Sequence, residues 1–154
     1  MNYLMDTCVI SELVKPSPNP NVVEWLKNTP TEQLFLSVIT IGEIRKGLTK
    51  LHDSKRKDRL MDWLNTLLEE YSEHIYPIDL SVAENWGVIQ GRAEQAGHPM
   101  SSLDGLIAAV AYTHNLVLVT RNVDDFKAGN LPITNPWVID TVYPIMDKAP
   151  QPKK

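Results

Sequence analysis

The feature that most constrains this chain is the alternation of short, unbroken apolar runs with longer stretches whose apolar residues recur at helical spacing. Tyr3, Leu4 and Met5 make one run and Leu34, Phe35, Leu36, Ser37 and Val38 a second. Val117, Leu118 and Val119 make another, and a weaker one lies near residues 74–78. Runs this short without polar alternation suit strands covered on both faces, as in a parallel sheet between helical layers. The intervening stretches read as helices. Residues 54–71 place Leu60, Met61, Trp63, Leu64, Leu67, Leu68 and Tyr71 on one side. Residues 80–97 open with Ser81 and Glu84 at capping-box spacing and stop at Gly97, ahead of Pro99. Residues 102–114 carry Leu103, Leu106, Ile107, Val110 and Ala111 and end at Asn115. The expected fold class is α/β, a three-layer α/β/α sandwich with a mostly parallel central sheet.

A length of 154 residues fits one domain with a real core. We place that domain at residues 1–140, followed by a flexible tail over 141–154 that ends in KAPQPKK. The segment KPSPNP at 15–20 is the other linker-like stretch. With Cys8 as the sole cysteine no intrachain disulfide forms, which favours a reducing compartment. The N-terminal segment lacks a basic region followed by an apolar signal core, and no apolar run approaches the roughly 18–20 residues that span a bilayer. The expectation is a cytoplasmic protein without membrane contact. The net charge of −4 argues weakly against nonspecific nucleic-acid binding. Yet Arg45, Lys46, Lys50, Lys55, Arg56, Lys57 and Arg59 form a basic stretch, which is either a solvated helix face or a local cationic surface for phosphates.

Three junctions carry acids. The first strand runs into Asp6, the second into Thr40, Ile41, Gly42 and Glu43, and the third helix opens with Ser101, Ser102, Leu103 and Asp104. Each acid alone fits a helix cap: carboxylates in a first turn are favoured by ~0.3–1 kcal/mol, and Thr40 with Glu43, or Ser101 with Asp104, has capping-box spacing. Their joint placement points further. In an open parallel sheet the carboxyl ends of the strands share one edge, where ligands bind. Carboxylates gathered there repel one another unless a cation or proton compensates. An all-oxygen set suits Mg²⁺ or Mn²⁺, and such a site activates water for in-line attack on a phosphodiester.

The segments LMDTCVISEL (4–13), LFLSVITIGEIRKGL (34–48), SSLDGLIAAVAYTHNLVLVTRNVDDF (101–126) and NPW (135–137) resemble the PIN-domain ribonucleases, the VapC-type toxins of bacterial type II toxin–antitoxin systems. The resemblance spans roughly residues 2–137, with several motifs in order. It implies Mg²⁺-dependent endonucleolytic cleavage of RNA, transfer RNA being a plausible target, together with homodimerisation and neutralisation by an antitoxin. Asp6 and Asp104 match direct metal ligands, and Glu43 a third acid that binds through water or positions the attacking water. Thr7 and Thr120 match small hydroxyl positions, or serve local turns. Arg45, Lys46 and Arg121 are candidate phosphate contacts, with the basic stretch steering RNA to the cleft.

Two departures stand out. Cys8 occupies the position where the family has Asn after Asp-Thr, and we expect a fully buried, inert thiol there. Asn122 follows Thr120 and Arg121 where many members have a fourth acid; the fourth position is filled by Asn122 through its carbonyl or a bound water, or by Asp125 or less directly Asp124, unless these two acids cap a short helical turn. The departure at Asn122 leaves open a second reading, a catalytically weak PIN-like regulator that binds an antitoxin without cleaving RNA. A phospho-accepting receiver domain would need adjacent acids after the first strand and a late lysine, which are not seen. His52, His74, His98 and His114 show no metal-ligand spacing, and neither a nucleophile elbow nor a phosphate loop is present. Trp25, Trp63, Trp86 and Trp137 read as core or interface rather than stacking platforms. The broad apolar face of 54–71 is a candidate surface for an antitoxin or a second copy, provided the monomer leaves it partly uncovered.

Overall fold

The structure, a computed structural model, describes residues 1–138; the tail expected at 141–154 lies outside the described residues. Five strands, β1 (Tyr3–Met5), β2 (Leu34–Ser37), β3 (Ile75–Tyr76), β4 (Val117–Val119) and β5 (Ile133–Thr134), form one sheet in the order β3-β2-β1-β4-β5. Every pairing is parallel. The helices are α1 (Thr7–Leu13), α2 (Pro20–Lys27), α3 (Val38–Thr49), α4 (Lys55–Glu70), α5 (Leu80–Gln95), α6 (Ser102–Thr113) and α7 (Val123–Phe126).

Strand periodicity divides the interior into two cores. Leu4 and Leu118 point to one face, where they join Val82 and Ile89 of α5 and Ile107, Ala108 and Ala111 of α6. Met5, Leu36 and Val119 point to the other, against Val9 and Ile10 of α1, Ile44 and Leu48 of α3 and Leu64 and Leu67 of α4. The result is the expected α/β/α sandwich. Helix α6 packs so closely on α5 that a Cβ at Gly105 would lie 2.5 Å from Gln90 Oε1 and 2.9 Å from Trp86 Nε1. That approach fixes the start of α6, where Asp104 sits.

Several boundaries differ from the sequence expectation, each for a local reason. Val38 begins α3 rather than ending β2, because Ser37 caps the helix, its Oγ accepting from Thr40 N at 3.2 Å. Glu43 therefore lies in the second turn and takes no part in a capping box. Asp79, not Ser81, caps α5, its Oδ1 accepting from Val82 N at 3.0 Å. Two elements escaped sequence reading. Helix α2 starts inside the KPSPNP segment, with Asn19 as cap and Pro20 in the first turn, and β5 has only 2 residues. The stops at Gly97 and Asn115 hold, with φ of 77° and 55° in the left-handed region.

The expected partner face of α4 is partly covered: Leu64 and Leu67 are buried, but Leu60, Met61, Trp63, Leu68 and Tyr71 are only half-buried. Among the described residues no helix is long and apolar enough to cross a membrane.

Candidate active site

The chain leaves β1 for β2 and β3 on one side and returns on the other as β4, so the carboxyl ends of β1 and β4 flank the topological switch point, where α/β sheets open a crevice. Asp6 and Thr120 are the first residues beyond those two ends. Asp6 donates its backbone N–H to Val119 O at 2.9 Å and caps α1. Its Oδ1 accepts from Thr7 N at 2.8 Å, and its Oδ2 from Thr120 Oγ1 at 2.8 Å and from Cys8 Sγ at 3.6 Å. The residue is 5% exposed. Burial raises its pKa, opposed by the Thr120 and Thr7 hydrogen bonds, and the charge of Asp104 raises it further.

Thr7, but not Thr120, also reaches the second acid. Thr7 Oγ1 donates to Glu43 Oε1 at 2.7 Å and lies 3.3 Å from the buried Thr40 hydroxyl. Asp104 stands in the first turn of α6, with its N–H donated to Ser101 Oγ at 3.2 Å. Burial also raises the Asp104 pKa, opposed by the Ser101 bond, and the charges of Asp125 and Glu43 push it up further. Asp6, Glu43, Asp104 and Asp125 thus form one electrostatically coupled cluster.

At the fourth corner, the coupling to Asp104 falls on Asp125, carried by α7. Asp124 instead pairs with Lys127, both exposed. Asn122 donates its backbone N–H to Thr120 Oγ1 at 3.0 Å, and its side chain does not cap α7. Cys8 is half-buried rather than fully buried. Burial and then the Asp6 charge raise its thiol pKa, so the reactive thiolate is disfavoured.

Two open cavities meet at Asp124 and Asp125. One of about 670 Å³ is lined by His98, Pro99, Met100, Ser101, Asp104 and Lys127, and another of about 450 Å³ by Arg121, Asn122, Val123 and Asn135. Asp125 thus has open space against both cavities, and Asp104 against the larger one. Of the candidate phosphate contacts, Arg121 borders this groove. Arg45 and Lys46 do not: Arg45 Nη1 turns towards Met61 Sδ on α4 at 3.6 Å. Lys57, in the same basic stretch, binds Leu51 O at 3.0 Å.

Sequence reasoning missed His98, Lys127 and Asn135 at the groove, and Glu12, a buried acid whose carboxylate accepts from Lys15 Nζ at 2.7 Å and Asn19 N at 2.9 Å. A lone acid on the apolar α1 was the available signal for Glu12; loop residues brought together by the fold gave none. His74 and His114 are structural, stacking with Phe35 and Tyr76.

A parallel sheet with acids at its switch point defines a class, and comparison with known proteins agrees: residues 3–129 match the PIN domain, and the chain belongs to that family. Within it, the chain is similar to proteins named as toxins and VapC ribonucleases. It is 38% identical to toxin FitB of Neisseria gonorrhoeae, over 87% of this chain and 97% of that one. It is 34% identical to VapC ribonuclease Y4jK of Sinorhizobium fredii, over 87% and 96% respectively. The structure of FitAB bound to an IR36 DNA fragment superposes with a TM-score of 0.86 at 35% identity, over 90% of this chain and 97% of that one.

Proposed function

We propose that this protein is a Mg²⁺-dependent endoribonuclease toxin of a toxin–antitoxin system, Mn²⁺ being an alternative ion and transfer RNA a candidate substrate. The observation that carries the reading is the position of Asp6 and Thr120 just beyond β1 and β4 at the switch point, with the Asp6 carboxylate held by Thr120 and Thr7. The donor set fits a hard cation. Among the described residues no three acid, histidine or cysteine side chains form a ready-made cage. Mg²⁺ is commonly held by one or two carboxylates, with waters and substrate phosphate completing its octahedron. When bound, the ion would supply Lewis-acid polarisation of a phosphoryl oxygen and a more acidic water.

The chain's own groups divide the rest of the work. Asp6 and Asp104 would hold the ion, Thr120 and Thr7 orient Asp6, and Glu43, held by Thr7, would orient an attacking water. Asp125 supplies the fourth charge that Asn122 lacks, which takes away the main support for a catalytically weak regulator. Arg121 offers a cation to the RNA backbone beside the acids. A solved relative at 25% identity is described as a toxin-antitoxin complex from Klebsiella pneumoniae, and an antitoxin partner for this chain follows by similarity. The half-buried face of α4 borders a groove of about 150 Å³ lined by Thr7, Ser11, Glu43, Leu60 and Trp63, and is our candidate for its seat. Homodimerisation and a cytoplasmic location complete the reading.

Cleavage of RNA by wild type, Asp6→Asn and Asp104→Asn, assayed after chelation and again with Mg²⁺, tests this. Wild type alone should cleave, and only with the ion, while both variants stay folded. Equal cleavage by the variants would remove the acidic site from the reaction.

A further inference from the structure

Trp137 is the one of the four tryptophans that lies outside a regular element, yet hydrogen bonds anchor its backbone. Its backbone N–H donates to Asn135 Oδ1 at 3.0 Å, and its backbone carbonyl accepts from Asn21 Nδ2 on α2 at 3.1 Å. The indole carried by this anchored backbone lies beneath Arg121, whose guanidinium carbon is 5.1 Å from the ring centroid. That is inside the ~6 Å range over which an aromatic face attracts a cation. Glu12 feels the Arg121 charge from inside the fold, but its carboxylate is already taken by Lys15 and Asn19. Among the described residues Arg121 makes no ion pair. It is exposed at the cavity it shares with Asp125, one residue from the hydroxyl that holds Asp6.

The cluster of acids repels a polyanion, and a fixed cation at its rim offsets that repulsion. Arginine is well suited to this position, because its planar fork can stack on a ring and still present N–H groups to a phosphate. We propose that Trp137 is a positioning residue, holding the Arg121 guanidinium beside Asp125 to take a phosphate of single-stranded RNA flanking the scissile bond. This rests on the ribonuclease reading, and its test separates the two.

Binding of a fluorescein-labelled, mixed-sequence oligoribonucleotide is measured by anisotropy in chelator, where binding is read apart from cleavage, across a series of salt concentrations. The proteins are wild type, Arg121→Ala, Arg121→Lys, Trp137→Ala, Trp137→Phe and the double Arg121→Ala/Trp137→Ala. Arg121→Ala should weaken binding about tenfold, with a salt slope shallower by roughly 0.7, the value for one phosphate contact on a single strand. Trp137→Ala and Arg121→Lys should each lose about three- to tenfold, because either removes the stack. Trp137→Phe should stay near wild type, and the double variant should bind no worse than Arg121→Ala alone. Additive losses in the double variant would overturn the proposal by showing that Trp137 touches RNA itself. Wild-type affinity in Trp137→Ala or Arg121→Lys would overturn it as well, as would a wild type that binds no RNA at low salt. A wild type that binds with the expected slope but fails to cleave in Mg²⁺ would leave this inference standing and remove the ribonuclease reading.

Discussion

Asp6 and Asp125 belong to one charge cluster but are held in opposite ways. Asp6 is buried, and both of its oxygens are engaged by α1 and by the residue after β4. Asp125 is exposed on α7, a helix of 4 residues, with open cavities on either side. The difference separates two roles. The inner half is built in advance, so that a ligand oxygen keeps its place when charge arrives. The outer half stays accessible, as the proposed passage of an RNA strand requires. Asp104, half-buried between them, couples the two.

Substitutions should therefore have effects that fall off from the inside outward. Asp104→Asn and Asp6→Asn should each reduce cleavage by about a hundredfold or more, read as kcat/KM on one RNA, since each removes several kcal/mol of charge stabilisation. Asn still caps α1 as well as Asp does, so melting should show a retained fold. Next comes Thr120→Val. It strips the buried carboxylate of a hydrogen bond and should lower stability by ~1–3 kcal/mol and activity about ten- to a hundredfold. Equal activity with Thr120→Val would show that the inner half needs no such support.

The pH dependence of stability sharpens the comparison. The Asp6 and Asp104 pKa values are both raised in the fold. The stability these groups contribute is thus fully present below the ordinary carboxylate range and is lost as pH climbs through the raised values. Asp6→Asn and Asp104→Asn should gain stability over wild type at neutral pH, and that advantage should shrink on acidification. Added Mg²⁺ should close the neutral gap by binding wild type. Denaturant melts at stepped pH measure this. The smallest effect belongs to the rim: Asp124→Asn breaks an exposed pair with Lys127 and should change stability by no more than ~1 kcal/mol. Asp125→Asn should lower cleavage more than Asp124→Asn does; the reverse order would move the fourth corner to Asp124.

The inner half was also the more legible in sequence, for a physical reason. Asp6 follows a strand that shows as an unbroken apolar run, and buried strands on both sides of β1 dictate a parallel sheet with its carboxyl ends together. Asp104 was legible because α6 carries strong periodicity after Ser101. What was not legible depends on contacts between distant segments. The true cap of α3 is a strand residue, Ser37, so Glu43 looked like part of a capping box. Arg45 and Lys46 read as phosphate contacts from charge alone, but neither lines the cavities beside Asp125, and Arg45 turns to Met61. Trp137 read as core or interface and does pack, partly buried, against the second core, but no local pattern pairs residue 137 with residue 121.

The central claim is that the Asp6–Asp104 pair is a site for a divalent cation. Titrating Mn²⁺ into RNA-free protein, and following the free ion by electron paramagnetic resonance, measures this most directly. Wild type should show saturable uptake that excess Mg²⁺ displaces, and Asp104→Asn should bind at least about tenfold more weakly. Identical uptake by the two proteins, or none by wild type, would contradict it.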